Sequence, residues 1–456
     1  MKKLIALSAL VVVSVASLAQ STPEAVADTA KKQTAAAEPM TKKEKVVAHF
    51  NDHFKLYGFV RDYLSFDTRE SKAGTLDEFY YLPKDYDWNE DKSYDKNEQI
   101  SLRYLAITTR LGLDVKNYQV GRTQLGAKIE GDFFCLNGTT ATLRLRHAYA
   151  TMAWDSLPIA GGKYAKVQLL MGQNWHPIST GSPDDISFNY GAPFNAYNRS
   201  PQITLTTTFD KRFSLVASLI WQMQYQCTGP EGNSVNYMKY ACTPEAFIGF
   251  GLRQNGWEMN IGADVVSIKP RRYGFNADSI TVPVSDRITT INPCIYVGYV
   301  HGNLAVRAKS VPYSSGGEHI YMMSGYGVTN KDNADGHYDY TPLHCSSTWL
   351  SILYGKKWQG GLFLGYIENL GSSQEVLSAK DVYFNSNGFI NMNRMYRVVP
   401  SVRYNIGKFT IALQYHYTAV QYGDKEEGFD TKTARYLSGL HYVGDHRCEM
   451  MFKFAF

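Results

Sequence analysis

Two arginines stand two residues apart in the stretch Leu143-Arg144-Leu145-Arg146-His147-Ala148-Tyr149. In an extended chain both point the same way, stacked about 7 Å apart, while Leu143 and Leu145 take the opposite face. By the same alternation Arg103, Lys128, Lys166, Arg307, Lys309, Arg397, Arg403 and Lys453 fall on polar faces, opposed by Glu130, Asp132, Glu258, Asp264 and Glu449. Such residues make no bonds. Lining a water path with low-dielectric walls, they would focus a positive field on passing solutes. Charges in such a wall also pair across strands and only stiffen it. Two adjacent cations seldom both find full partners, so Arg144 and Arg146 are expected to face the water.

Combinations that could do covalent chemistry are thin. His176 and Ser179 lie close in sequence, as do His344 and Ser346, but catalysis also needs an orienting acid, and none can be assigned from spacing. Residues 332–339 hold three acids around Gly336 without the alternating acidic pattern of an EF-hand, so a solvated loop tip is expected. Six cysteines show no metal-ligand spacing. Cys227 and Cys242 bracket one loop that a disulfide could close; Cys135 and Cys345 fall at strand ends, and Cys294 and Cys448 within strands. No catalytic residue and no cofactor is expected.

The elements that must position these residues are strands. Leu125, Ala127, Ile129 and Phe133 alternate with Gln124, Lys128, Glu130 and Asp132. The same pattern runs through 213–226, 257–265 and 409–418. A strictly polar inner face would ruin a sandwich core but suits a water-filled barrel. Strands are also expected at 54–66 and 100–113. Tight turns at 210–212, 255–256, 301–302, 355–357 and 407–408 alternate with long loops at 67–98, 176–200, 228–241, 271–286, 314–345, 371–391 and 422–445. Short turns on one side and long loops on the other characterise transmembrane barrels. About sixteen strands follow, with 435–442 assigned to the last loop. The chain ends on 446–456, where Cys448, Met450, Phe452, Phe454 and Phe456 oppose Arg447, Glu449 and Lys453.

Residues 1–19 read as a secretory signal, from Lys2 and Lys3 through an apolar run to Ser17-Leu18-Ala19. Residues 20–52 form a polar periplasmic segment, and 53–456 the barrel. The 33 Tyr and 22 Phe suit aromatic girdles at two membrane interfaces. A charge of +5 over 456 residues does not suggest a nucleic-acid partner.

The run 143–149, followed by Leu170-Met171-Gly172-Gln173-Asn174-Trp175, resembles the LRLRHAY…GQ-x-W pattern of DcaP-type porins, and 445–456 resembles their closing strand. The resemblance implies an all-β, sixteen-stranded porin of a Gram-negative outer membrane, homotrimeric, in contact with lipid and passing small hydrophilic, anionic solutes. It also implies that the third long loop folds inward. In that loop Pro177, Pro183 and Pro193 give stiffness, Asp184 and Asp185 carry charge, and Phe188, Tyr190, Phe194 and Tyr197 could line a narrow path, with Arg199 at its base. A barrel enzyme with a sealed lumen and a surface adhesin are the alternatives.

Overall fold

The computed structural model describes residues 50–456 except 51, 73–75, 77, 136–139, 160–162, 315–322, 333 and 385–389. The expected leader and the polar segment up to residue 49 lie outside the described residues.

Sixteen strands close into one antiparallel barrel. They are β1 (Phe54–Asp67), β2 in two pieces (Ser101–Leu105 and Arg110–Val120), β3 (Thr123–Phe134), β4 (Thr142–Pro158), β5 (Tyr164–Trp175), β6 (Arg199–Phe209), β7 (Phe213–Ile220) and β8 (Glu245–Gln254). There follow β9 (Trp257–Ile268), β10 (Ile288–His301), β11 (Leu304–Ser314), β12 (Tyr338–Gly355), β13 (Trp358–Ser372), β14 (Met392–Ile406), β15 (Phe409–Tyr422) and β16 (His441–Ala455). Closure comes from β1 pairing with β16, from Phe59 opposite Ala455 to Asp67 opposite Arg447. A closed sheet leaves no edge, so every strand can sit in hydrocarbon with its backbone paired.

The alternation read from sequence becomes the two faces of the wall. Leu143, Ile248, Phe250, Ile261 and Ile295 project outward and are exposed, an apolar band that only lipid covers. Near the short turns Trp257 packs on Tyr299 and Trp358 on Tyr404, forming one aromatic girdle. Toward the long loops Tyr396 lies between Tyr417 and Tyr442. The barrel is therefore an outer-membrane protein. The Asn255-Gly256 turn shows why the short connections are tight: φ is +50° and +84° at its two residues, the pairing that matches strand twist in two-residue hairpins.

Several expected boundaries move. The second strand breaks at 106–109, where Thr108 takes a left-handed φ of +64°, then continues to Val120. The seventh ends at Ile220, short of Gln226. There the Gln222 side chain accepts from the Cys227 backbone N–H (3.0 Å) and the Gln224 amide donates to the Leu145 carbonyl (2.6 Å), so side-chain bonds, one of them local, replace the ladder. Cys345 lies within β12, and the last strand begins at His441. Cys227 and Cys242 are not bridged: Cys227 is buried and receives the Gln222 amide (2.9 Å), whereas Cys242 is exposed.

Candidate functional site

The lumen is the site, and two loops occupy it. The third long loop (residues 176–198, between β5 and β6) crosses to the far wall. Ser347 donates to the Phe194 carbonyl (2.9 Å), Ser351 accepts from the Asp184 N–H (2.9 Å), and Trp349 donates to Asn195 Oδ1 (3.1 Å). Lys309, buried on β11, gives its ammonium to the carbonyls of Ile178 and Thr180 and to Asn195. Phe194 lies where Gly365 on β13 has no side chain; a Cβ there would stand 2.5 Å from its ring. The loop thus folds inward as expected, but Phe188, Phe194 and Tyr197 pack against other side chains instead of lining water.

The first long loop also turns in, which its polar composition did not suggest. Residues 78–83 meet the third loop and β14–β16. Arg447 pairs with Asp67 and with Glu78 (2.8 Å) and lies over the Tyr81 ring (3.7 Å). Tyr81 donates to Glu449 (2.8 Å). Arg397, fully buried, donates to the carbonyls of Tyr80, Tyr81 and Ala192, so one guanidinium clamps both loops. Phe79 packs on Tyr197 and Phe188.

Of the predicted lining residues, Arg103 pairs with Asp67 (2.8 Å) and Lys128 with Asp114 (2.9 Å). Arg307 pairs with Asp184, whose carbonyl receives Arg403, while Asp185 accepts from Ser187. Lys166 sits well exposed near the short-turn end, on Asp155 (3.0 Å). Arg199 donates to the Tyr197 and Tyr225 hydroxyls (2.8 Å each).

Arg144 and Arg146 differ from expectation: both are paired. Arg144 meets Asp132 (3.0 Å), and Arg146 meets Glu130 (2.6 Å) and Asp132 (2.8 Å). The cause is a bulge. His147 pairs with Glu130 and Leu145 with Gly131, leaving Arg146 as the extra residue, so Arg144, Arg146 and His147 all turn inward over the two acids of β3. Alternation alone could not foresee that crowding.

Of the cations left over, Lys453 was placed on the inner face by alternation, whereas Arg61 and Arg110 are ones the sequence reading passed by. Arg61 on β1 lies directly opposite Lys453 on β16, and Phe59 lies opposite Arg110 on β2. The Phe59 ring carries Arg61 at 4.9 Å, Arg110 at 4.9 Å and Lys453 at 4.6 Å from its centroid. Arg110 reaches Glu130 at 3.5 Å and the Tyr190 hydroxyl at 3.1 Å. Among the described residues no carboxylate comes within 4.0 Å of Arg61, Arg199 or Lys453. In this part of the wall six cations (Arg61, Arg110, Arg144, Arg146, Arg199, Lys453) therefore share two carboxylates, Glu130 and Asp132. The signal was the alternation of β1, where Arg61 shares a face with Phe59 and Tyr63.

His176, Glu245 and Asp264 form a buried trio whose donor atoms lie within 4.8 Å of one another. The His176 Nδ1 accepts from the Ile178 N–H (3.0 Å), so the neutral ring carries its proton on Nε2, which faces Glu245. A metal would need that nitrogen bare, so the trio is a hydrogen-bonded anchor at the start of the third loop. It also supplies the acid that spacing could not assign to His176, while Ser179 instead accepts from the Asn198 N–H (3.2 Å).

The geometry defines a class: a sixteen-stranded outer-membrane β-barrel of the porin fold with inward-folded loops. Among solved structures it is similar to the outer-membrane channel DcaP of Acinetobacter baumannii, at 18% identity over 88% of this chain and 97% of that one, with a TM-score of 0.59. It is also similar to an anion-selective porin from Comamonas acidovorans (11% identity, 88% and 99% covered, TM-score 0.49) and to OprB of Pseudomonas putida (9%, 90% and 96%, 0.48). No protein-family model and no curated protein sequence matches the chain.

Proposed function

We propose that this barrel is a water-filled channel for passive diffusion of small hydrophilic anions, with no chemical step. The observation that carries the reading is the cation surplus around Phe59: Arg61 and Lys453 face each other across two strands with no carboxylate between them. Like charges directly opposite cost stability, so a fold that keeps them gains something else, and a positive wall that concentrates anions is the simplest gain. The comparison with DcaP supports the architecture, and the homotrimer expected from the sequence resemblance would be tested by native mass spectrometry.

Planar-bilayer conductance under a salt gradient tests the channel. Stepwise openings with an anion-biased reversal potential are expected. At about 5 Å in water each cation is worth about 0.8 kcal/mol to a passing ion, or about 0.5 kcal/mol in 0.1 M salt. Replacing Arg61 and Lys453 with methionine should then lower the anion-to-cation permeability ratio by up to about thirtyfold. Folded protein that never conducts would overturn the reading, and a cation-biased wild type would overturn its sign.

A further inference from the structure

We infer that Arg61, Arg110 and Lys453 form a discrete binding site for one compact oxyanion, a phosphate- or carboxylate-sized group, above the Phe59 ring. The inference rests on the channel reading for its setting but claims more: a saturable stop on the path, beyond a diffuse positive field.

Three observations build the site. The first is convergence: guanidinium, guanidinium and ammonium from three adjacent strands crowd within 5 Å of one ring centroid. The Phe59 ring attracts each cation, which helps the fold hold three like charges together. The second is how Arg61 is held. Its Nε and Nη2 both donate to the Thr108 hydroxyl (2.9 and 2.7 Å), a neutral partner that fixes the guanidinium without spending its charge. Nη1 makes no hydrogen bond to another described residue. The third is the backbone that delivers Thr108. A β-branched residue at φ +64° is strained, and it sits at the break in β2, so the strand gives up ladder pairing and a relaxed conformation to place that hydroxyl. An oxyanion resting on Arg61 Nη1, Arg110 and the Lys453 ammonium would receive charge-assisted hydrogen bonds from all three and relieve the repulsion between Arg61 and Lys453.

Isothermal titration of the refolded, detergent-solubilised full chain with inorganic phosphate in 0.1 M NaCl tests the inference without requiring conduction. One phosphate should bind per chain, and Arg61→Gln or Lys453→Gln should each weaken binding about tenfold, the worth of one charge-assisted hydrogen bond. Lys211→Gln, in an exposed turn far from the cluster, should leave it unchanged. Heat-modifiable gel mobility reports whether each variant is folded. Absence of saturable binding to the folded wild type overturns the site, as does equal weakening by Lys211→Gln or no weakening by the two site variants. A channel that conducts anions yet binds no phosphate rejects this inference alone, whereas a chain that binds phosphate but never conducts rejects the channel and keeps the site.

Discussion

Replacing Arg146 with methionine should destabilise the barrel, because this arginine is part of a closed ion network and not a free charge in the lumen. Its Nε meets Glu130 at 2.6 Å and its Nη1 meets Asp132 at 2.8 Å, with Arg146 and Asp132 almost wholly buried. Removing one partner of a buried pair costs about 3–5 kcal/mol, mostly because the other charge is left behind. Here neither acid is fully abandoned: Asp132 keeps Arg144 at 3.0 Å and Glu130 keeps Arg110 at 3.5 Å, which puts the expected loss near the lower bound, about 3 kcal/mol. The lost contact over the Trp175 ring, at 5.7 Å, adds up to about 1 kcal/mol. Urea titration of the folded fraction in lipid vesicles, read by heat-modifiable gel mobility, measures this. Asp132→Asn in the same chain should recover part of the loss, with a coupling of about 1–3 kcal/mol in the double-mutant cycle. A loss below about 1 kcal/mol, or a cycle with no coupling, would refute the reasoning and return Arg146 to the solvent-facing filter.

Three further outcomes follow from the loops. Lys309→Met withdraws the donor from the Ile178 and Thr180 carbonyls, at about 1–3 kcal/mol for each group left bare, so hydrogen exchange across 176–198 should quicken; unchanged protection would show that the ammonium does not tether this loop. Gly365→Ala drives a methyl toward the Phe194 ring and should cost about 1–3 kcal/mol in the same urea assay, whereas a neutral result would mean the ring swings clear at no cost. His337 pairs with Asp286 across two extracellular loops, and that hydrogen bond raises the imidazole pKa above its ordinary 6.5. The contact is therefore fully present below about 6.5 and lost as pH rises through the raised value. Exchange at 269–287 should quicken as pH rises above about 6.5 and through the raised value, and a His337→Gln chain should show no such step.

Much of this protein was legible in its residues because a transmembrane barrel imposes a period of two on every strand. Lipid outside and water inside left Leu143, Ile261 and Phe454 on one face and Arg144, Glu258 and Lys453 on the other, so inward charges could be read from alternation, and strand count and turn asymmetry from alternation with the spacing of tight turns and long loops. The inward course of the third loop came from resemblance, not from its residues. What tertiary structure decided are the features that break the period or join distant segments. The bulge at Arg146 turned two consecutive side chains inward and paired both arginines with Glu130 and Asp132. The first loop entered the lumen because Arg397 and Arg447, more than 300 residues away, supply partners for Tyr80, Tyr81 and Glu78. Closure of β1 on β16 set Arg61 against Lys453, and a left-handed Thr108 held Arg61 in place. Local sequence specifies which face a side chain takes, since strand geometry is local. Which charges meet across that face depends on register and closure, and those belong to the whole barrel.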